Sequence, residues 1–598
     1  MSLPRCLSAA VVFAALAGSL HAADKLVLKD GNYLLSYNPG SPAQVPLALL
    51  KVASKGEKYD VEVLDGGQAA WKVANFKTDG KLFTADVETA GNKLKFEGIT
   101  DAKAKEPAVL GSFGDDGRLF RATLTFTEDE KLGTAKAPKL SDDQLALNKI
   151  RSAANVFRGQ AQRETDADKR RELLEKAAEA QKEAEAKVPG LLLKVIDGET
   201  DGLSKFFAGQ ELLIAAGKAK SSVKDVAKWA EGVVTYAAAH GPRFEQDTLF
   251  KVAEILAAQP ALAEVSLGYA QKAVKIAEKS AVGKQVRAIK ALLAAQKASK
   301  MTMEAAATEA TLAKLELALD VEYKKAVPPF KPAKYEGRKE KDANRVVVFE
   351  LFTGAQCPPC VAADVAFDAL EKAYEPKDLV LIQYHMHIPG PDPLTNLDSI
   401  SRWDYYLKKF PEGIRGTPST LFNGKPDAGG GGGMANAKSK FDQYAKLIDK
   451  VLEEKSDVKL EGAAALIGEN LSVNLKVAGL KDPSADLKVR LLLVEEEIRY
   501  VGGNQLRFHH QVVRSQFAKA DGFSVKDLKD GVLTAKLNLD DVRKDLAKYL
   551  ESYEKTRPFP NADRPMALKK IKVIALIQDD ESKEILQAIQ LDVTGAKS

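Results

Sequence analysis

Cys357 and Cys360 stand three apart, behind the run Val346-Val347-Val348-Phe349-Glu350-Leu351-Phe352 and ahead of an apolar helical stretch. Two thiols at that spacing can form, break and exchange a disulfide. The thiolate is the attacking species, and the unpaired N–H groups and dipole of a helix N-terminus stabilise it. Cys357 attacks a disulfide sulfur, and Cys360 then displaces the mixed disulfide. The alternative is a buried staple, but so short a loop constrains little of the unfolded chain. The other cysteine, Cys6, lies in an N-terminal stretch that reads as an export leader.

The order from Arg345 to Glu454 reads strand, helix, strand, irregular excursion, strand, helix. Leu379 to His385 is a near-continuous apolar run, as expected of a buried parallel strand. The right-handed crossover rule brings its end to the edge that carries the dithiol, with His385, His387 and Pro389 nearby. Thr417-Pro418, ahead of an apolar strand, is a candidate cis peptide in a tight turn. Strand alternation places His385 and His387 on one face. Cys357, Cys360 and His387 therefore form an alternative soft-metal set for Cu(I) or Zn(II), as in a copper carrier. The plainer reading has one histidine hydrogen-bonded in the loop and the other solvated, with no metal held.

On Cys357-Pro358-Pro359-Cys360 at a strand-to-helix turn, with Thr417-Pro418 before a later strand, this region resembles the thioredoxin superfamily. The resemblance implies an exposed nucleophile at Cys357 and a resolving thiol at Cys360. It implies a cis-proline at Pro418, a substrate chain pairing with the backbone at Thr417, and a buried proton-handling acid near Glu350. Pro358, Pro359 and His387 would line the substrate. Gln356 replaces the usual aromatic before the first cysteine, and Pro358 removes a backbone donor. The segment Tyr384 to Asn396, together with Leu493-Val494-Glu495-Glu496 and His509-His510-Gln511-Val512-Val513-Arg514, is similar to secreted thioredoxin-fold proteins related to outer-membrane proteins, which carry a C-terminal β domain.

The elements that must hold this chemistry belong to a long chain. At 598 residues it exceeds the ~250–300 at which single cores stop growing, so several domains are expected. Arg5, the apolar Leu7 to Leu20 and Leu20-His21-Ala22 read as a signal peptide over 1–22, so the mature protein is expected to be periplasmic or secreted. A β domain follows at 24–135, with turn signals at Asp30-Gly31, Asp65-Gly66-Gly67 and Asp79-Gly80. Ser141-Asp142-Asp143-Gln144 is a capping-box pattern that opens a helical domain at 140–326. Its later helices recur at about thirty-six residues, near helical-repeat lengths. Pro328-Pro329-Phe330-Lys331-Pro332 marks a stiff linker at 327–340. The dithiol domain takes 341–455, and a C-terminal β-rich, sandwich-like domain takes 456–598.

The expected class is therefore multidomain α+β: all-β, α-helical, thioredoxin-like α/β, then β. With 88 basic against 83 acidic groups mixed throughout, nothing supports nucleic-acid binding. No later stretch reaches the ~20 apolar residues of a membrane span. The glycine run 429–433 lacks the Gly-Lys-Ser/Thr ending of a phosphate loop and reads as a flexible turn. His509 and His510 point to opposite strand faces and make a poor chelate, while Arg514 has Glu495 or Glu496 as a partner. The expected function is a thiol–disulfide oxidoreductase acting on protein or peptide disulfides, with an unidentified redox partner and no cofactor beyond the Cys357–Cys360 disulfide. The rival is a binding or structural protein that keeps the fold.

Overall fold

Apolar and polar residues alternate along the first strands, and that period sends one set inward. A computed structural model describes residues 28–595, apart from 39–43, 68, 90–91, 102–103, 115–118, 135–139, 199–200, 481–483, 485 and 519–520. The expected leader over 1–22, with Cys6, lies outside the described residues. The chain divides into two units, Met1–Leu319 and Asp320–Ser598.

The first unit begins with eight antiparallel strands: β1 (Gly31–Asn38), β2 (Val45–Lys55), β3 (Lys58–Asp65), β4 (Trp71–Thr78), β5 (Leu82–Thr89), β6 (Asn92–Thr100), β7 (Ala108–Gly114) and β8 (Leu119–Thr127). β1 pairs with both β2 and β8, which closes the sheet into a barrel and leaves no free edge. Tyr33, Leu35, Val52, Phe83, Phe96 and Leu124 fill its core. At the Asp79-Gly80 turn the Asp79 carboxylate accepts the Lys81 and Leu82 N–H groups, and Gly80 takes φ +95°, which favours glycine.

Helices follow: α1 (Asp142–Arg163), α2 (Ala167–Asp197), α3 (Gly202–Ala215), α4 (Val223–Ala238), α5 (Pro242–Ala257), α6 (Ala263–Ala277), α7 (Val282–Ala298) and α8 (Thr302–Ala326). The α1 start is a capping box, in which Ser141 and Gln144 each satisfy the other's backbone N–H. The last residues of α8, from Asp320 on, belong to the second unit.

In the second unit come β9 (Val347–Thr353), α9 (Val361–Ala373), β10 (Leu379–His385), α10 (Leu397–Leu407), β11 (Ser419–Phe422), β12 (Lys425–Pro426) and α11 (Ala437–Leu452). They are followed by β13 (Lys459–Ile467), β14 (Asn470–Ala478), β15 (Leu487–Arg499), β16 (Phe508–Gln516), β17 (Phe523–Ser524), β18 (Val532–Asn538), α12 (Leu539–Glu554), β19 (Ile571–Asp579) and β20 (Ile585–Thr594). One sheet runs through all of this, ordered β12-β11-β9-β10-β16-β15-β19-β20-β13-β14-β18. β10 is parallel to β9, and it meets β16 in parallel at Gln383 and Val512. The sheet therefore passes without a break from 341–455 into 456–598.

β9 and β10 are buried on both faces. Val347, Phe349, Leu351, Leu379 and Leu381 pack against α9 and α11. Val348, Phe352, Ile382 and Tyr384 pack on the opposite face with Trp403 and Tyr406 of α10. Farther along, β14 and β15 stand four places apart in the sheet, yet Leu471 and Val473 share one core with Val489 and Leu491. The sheet must curl over itself to bring them together.

The 327–340 segment is not a free spacer. Phe330 lies 5.6 Å from Phe441 and Tyr335 stacks on Tyr374 at 5.1 Å, because these two aromatics have apolar area to bury.

Candidate active site

The dithiol sits where β9 hands over to α9. Gly354 to Gln356 make the turn, Pro358–Cys360 form a 3-10 turn, and α9 starts at Val361. Cys357 and Cys360 are joined as a disulfide with Cα atoms 5.3 Å apart. Pro358 and Pro359 are exposed, whereas Cys357 is 1% exposed and Cys360 is fully buried. The expectation of an exposed nucleophile therefore fails for Cys357, and the surrounding backbone explains why.

The glycine run lies against the start of α9. The Gly432 N–H donates to the Pro359 carbonyl, and the Ala362 N–H donates to the Gly432 carbonyl. A Cβ on Gly430 would meet Pro418 Cγ at 2.8 Å and Ala363 Cβ at 3.3 Å, so only glycine passes there undisturbed. This run, expected to be a flexible turn, is pinned at Gly430 and Gly432, while Gly429, Gly431 and Gly433 are exposed. On the other side, the turn before Cys357 is held by the β15–β16 connection. The Asn504 N–H donates to the Ala355 carbonyl, Asn504 Nδ2 to the Gly354 carbonyl, and the Gly503 N–H to Gln356 Oε1.

The Thr417–Pro418 bond is cis. Cys357 Sγ lies 3.7 Å from the Thr417 carbonyl oxygen and 3.4 Å from Thr417 Oγ1. Thr417 and Pro418 are half-buried beside the exposed Pro358 and Pro359. These residues are brought together as expected.

Glu350 is not part of that group. Alternation along β9 turns it with Val348 and Phe352 to the face away from α9. There it is fully buried. It accepts from Arg402 Nε at 2.9 Å, Arg402 Nη2 at 2.8 Å and Tyr384 Oη at 3.1 Å, and it also pairs with Tyr406. Burial works against the Arg402 charge, but Glu350 and the neighbouring phenols outweigh it and raise the guanidinium further. The assignment of proton handling to Glu350 is corrected on this ground.

The acid on the dithiol face is Asp364. It stands four residues after Cys360 on α9, a spacing that puts two side chains on one helix face. Burial pushes its carboxyl well above the ordinary carboxylate range, and the Asp368 and Asp392 charges add to this against the Thr353 hydrogen bond. Thr353 Oγ1 donates to Asp364 Oδ2 at 2.9 Å, and Gln383 Nε2 lies 2.8 Å from Asp364 Oδ1. Gln383 Oε1 lies 3.1 Å from His385 Nε2, and His385 Nδ1 lies 2.8 Å from Asp392 Oδ2. Asp392 also accepts the Ala355 N–H at 2.6 Å and the Leu394 N–H at 2.9 Å. Burial alone would raise the Asp392 carboxyl, but His385 and these N–H groups hold it below the usual range.

His385 and His387 part company because β10 ends at His385. His387 Nδ1 accepts the Asp392 N–H at 3.0 Å, so its Nε2 carries the proton and bonds Tyr549 Oη at 2.8 Å. Its ring stacks on Tyr553 at 3.6 Å. Burial lowers the imidazole to about 4. With Nδ1 taken by the Asp392 N–H and Nε2 by Tyr549 of α12, His387 has neither nitrogen left for the sulfurs' side. The expectations that it lines the substrate or completes a metal set are corrected accordingly. Among the described residues no group of three or more His, Cys, Asp or Glu is placed to hold a metal ion.

No family model matches this chain, and no curated protein does. Two solved structures resemble it in part. One is a crystal structure of a protein from Agrobacterium tumefaciens, 17% identical, covering 44% of this chain and 97% of that one, with a TM-score of 0.27. The other is HBP35 of Porphyromonas gingivalis, 13% identical, covering 43% of this chain and 79% of that one, with a TM-score of 0.28. At these scores neither bears on fold or activity.

The site thus offers a disulfide at a helix start, a cis-proline carbonyl against one sulfur, and a buried carboxyl one helical turn from the other. Asp364, Gln383, Asp392 and Asn504 were not foreseen. Asp364 was legible as the i+4 partner of Cys360, and Gln383 as the polar residue in an apolar strand. Asn504 gave no local signal, since 150 residues separate it from Gly354.

His509 is buried and held at about 3 by burial first and by His385 second. His510 points the other way, to Asp368 at 3.0 Å and Glu371 at 3.2 Å. Arg514 Nε lies 3.6 Å from Glu495 Oε2, the first of the two partners expected.

Proposed function

We propose that this is an exported thiol–disulfide oxidoreductase with a thioredoxin-like core, acting on protein or peptide disulfides through Cys357-Pro358-Pro359-Cys360. The observation that carries the reading is the disulfide at the β9–α9 junction with Cys357 Sγ against the Thr417 carbonyl of a cis Thr417–Pro418 bond. A substrate strand pairing at Thr417 would bring its sulfur to Cys357. Cys360, deeper and one turn from Asp364, is the resolving thiol. Export rests on the reading of residues 1–22.

The decisive experiment equilibrates the Cys357–Cys360 pair with glutathione or dithiothreitol buffers and counts alkylated thiols. A reversible couple between about −120 and −270 mV supports exchange catalysis, while a value below about −300 mV marks a structural disulfide. Cys360→Ser should in addition trap a mixed disulfide with a substrate.

One observation favours a second reading. Both sulfurs are buried, at 1% and 0% exposure, as in a disulfide that stays closed within a binding or structural protein. The same titration separates the two. A copper carrier finds less support, since His387 is directed at Tyr549 and Tyr553.

A further inference from the structure

The turn before Cys357 has a further neighbour in the chain beyond β10. A Cβ on Gly354 would meet the Ile388 carbonyl oxygen at 2.9 Å, and one on Gly390 would meet Gln356 Cβ at 3.5 Å, so Ile388 to Gly390 runs alongside that turn. Thr417 Oγ1 lies 3.5 Å from the Ile388 carbonyl oxygen and 3.4 Å from Cys357 Sγ. The next carbonyl, that of Pro389, accepts Arg557 Nη2 at 3.0 Å. An exposed guanidinium from the segment after α12 therefore stands one carbonyl beyond the contact that links Thr417 to this loop.

We infer that Arg557 selects the substrate: it pairs with a carboxylate on a residue within two places of the substrate cysteine, so that acidic peptides are the preferred partners of the dithiol. This role gives the exchange site a substrate class and rests on the exchange reading.

Arg557 is held in place without being neutralised. Phe559, two residues on, is buried and lies 5.8 Å from Tyr553 and 6.2 Å from His387, with the Arg564 guanidinium over its ring at 4.1 Å. The aromatic cluster around His387 thus anchors the segment that carries Arg557. Glu554, three residues before Arg557, is taken by Arg564 at 2.8 Å. Asp392, in the neighbouring loop, is turned inward to His385 and to the Ala355 and Leu394 N–H groups. Among the described residues Arg557 pairs with no carboxylate. Arg415, two residues before Thr417, is already paired with Glu412.

A guanidinium carries five N–H donors, and the bond to Pro389 uses one of them. The rest of the fork is open to a carboxylate, whose two oxygens match it. A substrate strand paired at Thr417 with its sulfur at Cys357 advances ~3.3 Å per residue, so a side chain one or two places from its cysteine stays close to the Pro389 side of Thr417. An exposed ion pair is modest in strength, so the result is a preference among substrates and not a requirement.

The test uses the full chain in its disulfide form and capped X-X-Cys-X-X peptides with X as Asp, Asn or Lys. A peptide thiolate attacks Cys357 Sγ, the Cys357–Cys360 bond breaks, and its electron pair leaves on Cys360, which takes a proton from water. A second peptide thiolate displaces Cys357, so the peptides leave as a disulfide and the protein pair is reduced. Each rate is divided by that of the same peptide with the neutral 2-hydroxyethyl disulfide, which removes the effect of X on the thiol itself. At low salt the Asp peptide should react about three- to fivefold faster than the Asn peptide, the size of an exposed ion pair, and high salt should remove most of the difference. Arg557→Gln should bring the two rates together, and Arg557→Glu should make the Lys peptide the fastest. Equal rates for the Asp and Asn peptides with the wild type, or an Asp preference that survives Arg557→Gln, would overturn the role of Arg557 and leave the exchange reading standing. If no peptide opens a disulfide that a phosphine does open, the exchange reading falls and takes this role with it.

Discussion

The two faces of the β9–β10 pair each bury a carboxyl group, and they solve the same problem in opposite ways. On the α10 face, Glu350 meets the Arg402 guanidinium, two phenols and, through Arg402, Gln578. On the α9 face, Asp364 meets a hydroxyl and a carboxamide, and no cation among the described residues. A buried carboxylate is tolerable when paired and hydrogen-bonded, and otherwise it keeps its proton. One face is therefore a fixed ion pair that organises the core, and the other is a group able to exchange a proton. Burial is nearly the same, 0% and 3%, so the partner and not the depth makes the difference.

The same chemical change made on each face should break this comparison open. Glu350→Gln leaves the Arg402 charge buried without its anion and should cost about 3–5 kcal/mol, read by urea unfolding. A loss under about 1 kcal/mol would mean that Glu350 is not paired as described.

Asp364→Asn should behave differently. The folded carboxyl lies above its ordinary value of 3.8, so its contribution is fully present below that value and is lost as pH rises. Over that rise the wild type should lose stability relative to the variant with a slope of up to about 1.4 kcal/mol per pH unit, until the folded carboxyl ionises. Equal slopes for the two proteins would remove Asp364 from the protonated side of the comparison.

The histidines sharpen it from the basic side. His387, lowered to about 4 by burial, is neutral when folded but titrates near 6.5 when unfolded. Its contribution is present above 6.5 and is lost as pH falls toward 4, again at up to about 1.4 kcal/mol per unit. His387→Phe keeps a ring against Tyr553 and should flatten that acid slope in a pH series of melting curves. An unchanged slope would show that His387 is already charged in the fold.

The smallest effect is expected for Thr353→Val, which removes one donor to Asp364 at nearly constant volume. A loss of about 1 kcal/mol is expected at neutral pH, together with a further rise of the Asp364 carboxyl. Backbone-resolved titration by NMR would read the second part, and a fall would contradict the assigned donor.

Legibility in the sequence followed the distance over which each feature is made. The capping box at Ser141 and the turn at Asp79-Gly80 depend on residues at most three apart, and the structure has both. The dithiol turn and the cis Thr417–Pro418 bond are also local. The side of the strand on which Glu350 falls was not read, although alternation from Phe349 and Leu351, which face α9, would have placed it opposite Asp364. The packing of 327–340 depends on Phe330 and Tyr335 meeting Phe441 and Tyr374 from distant segments, which its prolines do not reveal. The glycine run 429–433 was read by its flexibility, when its use is the close passage of backbone beside Pro418.

By itself, the sequence determined where strands, helices and turns lie and which two thiols meet. Those depend on periodicity, caps and a separation of three residues. Only the tertiary structure decided that β10 joins β16, that Gly503 and Asn504 hold the turn before Cys357, and that Glu350 has a cation while Asp364 has none among the described residues. The state of a buried charge is set by whatever surrounds it, and here the surroundings come from segments tens to more than a hundred residues away.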